Sequence, residues 1–160
     1  MSFDTQTILL AEDNEDDIFI FERAYKQTLA ANPVQIARDG EEVVDYLSGA
    51  GRFADRVKFP IPHLMLLDLK LPLRHGLEIL EWIRTRPELA KMHVVVLTSS
   101  AEQRDLATAR ELGARHYLVK PPRSKTLADV LALFRAEWNG EAGGSAELDG
   151  DLFRQVEAKK

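Results

Sequence analysis

Cysteine is absent from this chain of 160 residues, which excludes disulfides, thiolate metal sites and cysteine nucleophiles. Any metal ion must therefore be held by oxygen or imidazole ligands. Long apolar runs are lacking too, since none approaches the roughly 20 residues that a helix needs to span a bilayer. The first ten residues (MSFDTQTILL) lack the basic start and long apolar stretch of a secretory signal. We therefore expect a cytoplasmic protein.

A surplus of basic residues is also missing, because 21 Lys and Arg face 26 Asp and Glu, for a formal net charge of -5. Nucleic-acid binding needs clustered Lys and Arg, so we expect protein partners rather than nucleic acid or a membrane. A hydrophobic content of 45% at this length suits one well-buried core. We predict one domain over residues 1–138, followed by a linker and tail over residues 139–160.

Five short apolar runs alternate with amphipathic stretches, a pattern typical of βαβ units around a parallel sheet. The third and fourth runs are almost wholly apolar, as strands covered by helices on both faces must be, so we place them in the centre of the sheet. The predicted strands are residues 7–11, 34–37, 63–67, 93–97 and 116–119.

The stretches between and after the strands have helical spacing and boundary signals. The acidic cluster at residues 13–17 suits the positive end of the first helix dipole. Asp39 is the predicted N-cap of the second helix, Gly113 ends the fourth, and Ser124 is the predicted cap of the fifth. These signals predict five helices.

Two segments fall outside this alternation. Residues 49–62 form a longer connection than a βα unit normally uses, and we expect an exposed, partly ordered loop. Residues 139–147 have the composition of a flexible linker, and apolar residues at steps of four follow over 148–156. That last stretch is either a short amphipathic helix or a frayed tail.

Four histidines carry no metal-ligand spacing. Three of them, His63, His93 and His116, begin predicted strands, while His75 lies in the loop after the third strand. We expect structural or surface roles for all four.

Polar side chains stand where four of the predicted strands end. Strand one is followed by Glu12 and Asp13, strand three by Asp68, strand four by Thr98 and strand five by Lys120. In open parallel sheets, ligands bind beyond the carboxyl ends of the strands. We therefore expect these side chains to meet in one crevice.

The three carboxylates of this crevice predict a cation. Crowded carboxylates repel one another unless a cation intervenes or a proton is taken up. Mg²⁺ prefers oxygen ligands, and one or two carboxylates plus a phosphate suit it. We expect Asp13 and Asp68 to bind Mg²⁺ directly and Glu12 to act through a bound water. Taken one at a time, the acidic residues before helix one could be caps and Asp68 could belong to a surface turn.

The same residues suit phosphoryl chemistry. The Asp68 carboxylate can attack phosphorus to form an acyl phosphate, a group of charge about -1.5 to -2 that needs donors and cations around it. The Thr98 hydroxyl can donate to one phosphoryl oxygen, and the Lys120 ammonium can pair with another. Alone, Thr98 could be an ordinary strand-end residue and Lys120 a solvated surface lysine. Their conjunction with Asp68 favours a phosphoacceptor site.

Over about residues 6–138 the chain resembles a receiver domain of the two-component response regulator family. The matching segments are LLAEDN, LLDLKLP around Asp68, VVVLTSS around Thr98 and GARHYLVKP leading to Lys120. The resemblance implies a flavodoxin-like (CheY-like) three-layer α/β sandwich, with a five-stranded parallel sheet in the order 2-1-3-4-5 and five helices. It also implies Mg²⁺-dependent phosphoryl transfer to Asp68 from a phosphohistidine on a sensor histidine kinase.

The resemblance implies further roles for single residues. The backbone carbonyl of Lys70 would be a third protein ligand of the metal, and Lys120–Pro121 resembles the family's cis peptide. Thr98 and Tyr117 would form a switch that changes the surface of helix four, strand five and helix five. For Tyr117, a plain strand aromatic is the alternative.

The connection YLSGAGRFADRVKFPIPHLMLLDLKLP is similar to receivers that serve phytochrome-type light-sensing kinases as separate small proteins. That likeness implies a bacteriophytochrome as the kinase and a homodimer through the helix four to helix five face. Nothing after Trp138 predicts a DNA-binding or catalytic output domain. Two other functions remain as alternatives: a phosphohydrolase of the haloacid dehalogenase type, whose second Asp would fall on Lys70, and an interaction module that accepts no phosphate.

Overall fold

The computed structural model describes residues 2–99 and 103–141. Within these ranges, five parallel strands form one sheet, with five α-helices on its two faces and short 3₁₀ turns between them. The strands are β1 Ile8–Ala11, β2 Val34–Ala37, β3 Leu64–Asp68, β4 His93–Thr98 and β5 His116–Val119. The helices are α1 Glu15–Gln27, α2 Gly40–Ser48, α3 Gly76–Ile83, α4 Gln103–Glu111 and α5 Ser124–Trp138.

The strand order is β2-β1-β3-β4-β5, as predicted. Every neighbouring pair is parallel, with Ala11 opposite Leu67, Asp68 opposite Leu97 and Thr98 opposite Val119. Asp68 and Thr98 are the last residues of their strands. The register therefore brings the carboxyl ends of β1, β3, β4 and β5 to one edge of the sheet.

Two apolar clusters fill the space between the sheet and its helices, which confirms the three-layer prediction. Along β1 the side chains alternate, so that Leu9 and Ala11 join one cluster while Ile8 and Leu10 join the other. The first cluster packs on α2, α3 and α4, and the second packs on α1 and α5. A strand buried on both faces must be apolar throughout, which explains the composition of β1, β3 and β4.

The predicted helix boundaries are confirmed at two places and wrong at one. Asp39 is the N-cap of α2, where its side chain accepts a 2.7 Å hydrogen bond from Glu42 N. Gly113, with φ of +106°, follows the end of α4 in the left-handed region. Ser124 is not the cap of α5, because Leu127 N donates to the carbonyl of Arg123, which places Arg123 at the N-cap.

The connection at residues 49–62 is more ordered than the sequence predicts. Phe53 is 3% exposed, and its ring lies 5.0 Å from the ring of Tyr46 and 5.1 Å from that of Phe59. The Arg56 guanidinium donates to the carbonyls of Tyr46, Leu47 and Phe59. An aromatic cluster and one arginine therefore fix this connection against α2.

The predicted amphipathic stretch over residues 148–156 lies outside the described residues. Among the helices of the described ranges, none has the length and apolar content to cross a membrane.

Candidate functional site

Glu12 is the buried acidic residue at the end of β1. Its side chain is 2% exposed, and Oε2 accepts hydrogen bonds from the backbone N of Asp13 at 3.0 Å and of Asn14 at 3.2 Å. Asn14 is the N-cap of α1, so these donors belong to the turn that starts the helix. Backbone N–H groups at a helix start favour a negative charge, which explains how a carboxylate is tolerated here.

Asp68 is the last residue of β3 and is 5% exposed. Its Oδ1 accepts from Lys70 N at 2.9 Å, and its Oδ2 accepts from Lys120 Nζ at 3.0 Å. Gly76 at the start of α3 packs directly behind this turn, since a Cβ there would lie 2.7 Å from Leu69 Cα and 3.0 Å from the carbonyl oxygen of Asp68. The glycine therefore lets α3 begin against the turn that holds the carboxylate.

Lys120 connects the acidic residues of the site. Its Nζ donates to Glu12 Oε1 at 2.7 Å, to Asp68 Oδ2 at 3.0 Å and to Asp17 Oδ2 at 3.2 Å. The Lys120 backbone N donates to the carbonyl of Thr98 at 2.7 Å, and the Lys120–Pro121 peptide bond is cis, as the resemblance implied. The ammonium thus lies among three carboxylates that come from β1, α1 and β3.

The electrostatics follow from this arrangement. Burial raises the pKa of Glu12 above its ordinary value, and the hydrogen bond from Lys120 offsets only part of that shift. Burial alone would lower the pKa of Lys120, but its hydrogen bonds to Glu12 and Asp68 raise that pKa above its usual range. With Asp13 and Asp17 included, four carboxylates face one ammonium. The site therefore keeps an excess of negative charge that a cation can balance.

The residues of the site fit a divalent metal ion. Glu12, Asp13 and Asp68 each offer one carboxylate oxygen, and these oxygens all lie within 4.8 Å of one another. Carboxylate oxygens are the ligands that Mg²⁺ takes from proteins. Two of the three residues are buried, whereas Asp13 is exposed and lies at the mouth of the cluster.

Three further predicted residues lie at or near this edge. Thr98 ends β4 beside the strand of Asp68 and is 9% exposed. Lys70 donates its backbone N–H to Asp68, while the metal-ligand role of its carbonyl stays a prediction. Tyr117 lies opposite Val96 and packs, partly buried, against the cluster that includes α4. The structure thus brings the predicted residues together.

Asp17 is the member of the site that the sequence did not single out. It was assigned only to the acidic cluster at the start of α1, yet its side chain contacts Lys120. The only signal in the sequence was proximity, because Asp17 lies in the first turn of α1, four residues after Asp13.

Histidines take no part in the site among the described residues. His63, His93 and His116 lie at the opposite, amino end of the sheet, and His75 is the N-cap of α3, where Nδ1 accepts from Leu77 N at 3.1 Å. The predicted placement of the three strand histidines is confirmed.

These features define a receiver domain: a parallel sheet in this strand order, with helices on both faces, and a buried Asp at its carboxyl edge beside an acidic pair and a lysine. The chain belongs to the response regulator receiver domain family, whose model matches residues 8–132.

The chain is homologous to response regulators of phytochromes. Response regulator Rcp1 of Synechocystis sp. is 32% identical over 133 residues, which are 83% of this chain and 88% of Rcp1. The bacteriophytochrome response regulator AtBRR is 39% identical, with a TM-score of 0.70 over 79% of this chain and 91% of its own. The phosphorylated cyanobacterial phytochrome response regulator RcpA is 31% identical, with a TM-score of 0.70 over 86% and 96% of the two chains.

Proposed function

We propose that this response regulator accepts a phosphoryl group on Asp68 from a sensor histidine kinase, and that the kinase is a bacteriophytochrome. The observation that carries the proposal is the position of Asp68, buried at the end of β3 with Lys120 on one oxygen and an acidic pair beside it. The kinase class rests on the likeness to RcpA, a phytochrome response regulator, and to AtBRR, a bacteriophytochrome response regulator.

The chemistry is a displacement at phosphorus. An Asp68 oxygen forms the new P–O bond while the P–N bond to the kinase imidazole breaks, and the imidazole leaves with the electron pair. Lys120, released from Asp68 Oδ2, then pairs with a phosphoryl oxygen, and the Thr98 hydroxyl donates to another. Both groups lie at the same edge of the sheet as Asp68. The positive charge of Lys120 and the hydroxyl donor of Thr98 suit the negative charge of the incoming phosphoryl group.

We assign Mg²⁺ as the cofactor, held by Asp13, Asp68 and the Lys70 carbonyl, with Glu12 acting through water. When bound, Mg²⁺ neutralises negative charge on the phosphoryl oxygens. The carboxylate spacing supports this assignment. The similar Rcp1 has a structure described as its Mn²⁺-bound form, at 32% identity and a TM-score of 0.68.

Thr98 and Tyr117 are the proposed switch of the signal. Tyr117 packs against the apolar cluster that includes Leu106 and Ala109 of α4, so a shift of its ring changes the surface of α4, β5 and α5. We propose that this surface forms a homodimer. Sedimentation of the protein with and without phosphorylation tests this, and a monomer in both states would refute it.

In this proposal the protein is a phosphoacceptor in the cytoplasm rather than an enzyme that turns over a metabolite. It binds neither nucleic acid nor a membrane. Lys70 stands where a phosphohydrolase of the haloacid dehalogenase type needs its second Asp, which argues against that alternative. The receiver spans residues 1–138 in this proposal, with a linker and tail over 139–160.

The experiment that tests the phosphoacceptor compares Asp68→Asn with the wild type during labelling by acetyl phosphate and Mg²⁺. We expect labelling to be lost in Asp68→Asn and kept in Asp45→Asn, a matched loss of one exposed carboxylate on α2. Undiminished labelling of Asp68→Asn would overturn the assignment. Transfer from a phytochrome kinase encoded beside the protein tests the partner in the same assay.

A further inference from the structure

Within the described part of the chain, Asp17 contacts the site through Lys120. It lies in the first turn of α1, where its backbone N donates to the Asn14 side chain at 2.9 Å, and its Oδ2 accepts from Lys120 Nζ at 3.2 Å. It lies outside the group of three carboxylates whose oxygens approach within 4.8 Å of one another. Its direct contact is therefore with the lysine rather than with the three predicted metal-binding carboxylates.

All three N–H donors of the Lys120 ammonium are matched by carboxylates. Glu12 is fixed by two backbone N–H groups and is 2% exposed, so we expect it to keep its contact with Lys120 during the proposed transfer. In that transfer, the contact of Lys120 with Asp68 is replaced by one with the phosphoryl group. Asp17, whose side chain is 36% exposed, is the contact that competes with the phosphoryl oxygens.

The cavity between Asp17 and Lys120 is too small for a ligand of its own. The cavity that Asp17 lines with Lys120, Pro121 and Pro122 has a volume of about 10 Å³. That volume holds one water at most. A phosphodonor therefore does not reach Lys120 through this cavity.

We propose that Asp17 is a positioning residue that holds Lys120 toward α1 and thereby weakens the attraction of the site for small anionic phosphodonors. The inference rests on the proposed phosphoacceptor function. Removing the Asp17 charge leaves Lys120 positioned by Glu12, with more of its positive charge available to an incoming dianion. The gain is that of one partly exposed ion pair, about threefold to fivefold in binding.

The test compares Asp17→Asn with Asp16→Asn in labelling by acetyl phosphate at saturating Mg²⁺. Asp16 is the matched control, because it lies in the same first turn, is exposed and carries the same charge. We expect Asp17→Asn to lower the half-saturating acetyl phosphate concentration by about threefold to fivefold. The Kd of Mg²⁺ and all properties of Asp16→Asn should stay within about twofold of the wild type. Asp17→Ser, which also removes the charge, should reproduce the shift.

Three outcomes would overturn the inference: an equal shift in both variants, which indicates a general charge effect; no shift in either; or a weaker Mg²⁺ affinity in Asp17→Asn. Labelling of the wild type that does not depend on Asp68 is a different result, and it would remove the proposed function itself. Normal Asp68-dependent labelling with an unshifted Asp17→Asn would remove only the role of Asp17.

Discussion

The two ends of the sheet both carry buried titratable side chains, but they treat charge in opposite ways. At the carboxyl end, Glu12 and Asp68 stay beside the ammonium of Lys120 and keep an excess of negative charge. At the amino end, His63 and His93 pack against aromatic rings, and burial lowers the pKa of both. One end keeps charged groups together, whereas the other favours neutral rings.

The amino end is a cluster of packed rings. The His63 ring lies 5.0 Å from the His93 ring and 5.0 Å from the Trp138 ring, and His93 stacks on Phe134 at 5.0 Å. Arg115 Nη1 lies 3.1 Å from His93 Nδ1, a contact that requires this nitrogen to accept. Burial lowers the pKa of His93 to about 4, and the nearby guanidinium and histidines add to the shift. The ring is therefore uncharged at neutral pH.

The difference shows what each end needs in order to be stable. The carboxylates are tolerated because backbone N–H groups, a lysine and the predicted cation compensate them. For the two histidines burial outweighs such compensation and favours the neutral form, so packing carries the stability of their end. Changes at the amino end should therefore alter stability, and changes at the carboxyl end should alter ligand binding.

The largest expected effect is at the amino end, from Phe134→Ala. Phe134 is 0% exposed and stacks on His93, so its removal leaves a cavity and should lower the free energy of unfolding by about 3 to 5 kcal/mol. Urea unfolding measures this, with Phe19→Ala as a control on a residue that is 61% exposed and should change stability by about 0.5 kcal/mol or less. A loss under about 1 kcal/mol for Phe134→Ala, or a changed Mg²⁺ affinity of the folded protein, would contradict the comparison.

The next effect is a pH dependence of the free energy of unfolding, to which the two ends contribute with opposite signs. The folded pKa of His93, about 4, lies below its ordinary value of 6.5. Between these pH values the unfolded chain binds a proton that the folded protein does not, so the free energy of unfolding falls as the pH falls, by roughly 1 to 3 kcal/mol. Above pH 6.5 this group has no effect. The raised pKa of Glu12 acts the other way, adding stability as the pH falls through it.

Two variants separate these contributions in urea unfolding without metal. His93→Gln should flatten the loss of stability between pH 6.5 and about 4. Glu12→Gln should make the free energy of unfolding fall more steeply on acidification, because the stabilising contribution of the Glu12 carboxyl is gone. Parallel pH curves for wild type and His93→Gln would show that the amino end does not hold its histidine neutral.

The third effect concerns metal binding at the carboxyl end. Asp13 is the exposed member of the three-carboxylate group, so Asp13→Ala removes a predicted ligand without opening the core. We expect Mg²⁺ binding to weaken by about tenfold or more, measured by calorimetric titration. Asp16→Ala, an exposed neighbour outside the group, is the control and should stay within about twofold of the wild type. Unchanged affinity in Asp13→Ala would remove it from the metal site.

Much of the difference between the two ends could be predicted from the sequence, because short parallel strands determine which residues lie at each end of the sheet. The apolar runs predicted the strands to within one residue, and a parallel sheet then places Glu12, Asp68 and Lys120 at one edge. The same argument placed the histidines at the other edge. Regular periodicity and strand polarity were sufficient for these predictions.

The rest depends on side-chain contacts that periodicity does not encode. Arg56 binds backbone carbonyls, which any arginine can do, so the order of residues 49–62 was missed. The link from Asp17 to Lys120 joins residues 103 positions apart. The cap of α5 fell one residue earlier than Ser124 because the chain before it is extended at Arg123.

The smallest expected effect is the loss of stability on breaking either of two ion pairs that differ in burial. At the amino end, Arg115 pairs with both oxygens of Glu137 at 3.1 and 3.2 Å, with side chains 24% and 27% exposed. Near the carboxyl end, Arg38 pairs with Glu15 at 2.6 Å, but the side chains are 49% and 70% exposed. Solvent screens the second pair more strongly, so Glu137→Gln should cost about 1 kcal/mol and Glu15→Gln about 0.3 kcal/mol or less in urea unfolding. If the two variants lost equal free energy of unfolding, the partial burial of the Arg115–Glu137 pair would add no stability. Ring packing alone would then stabilise the amino end.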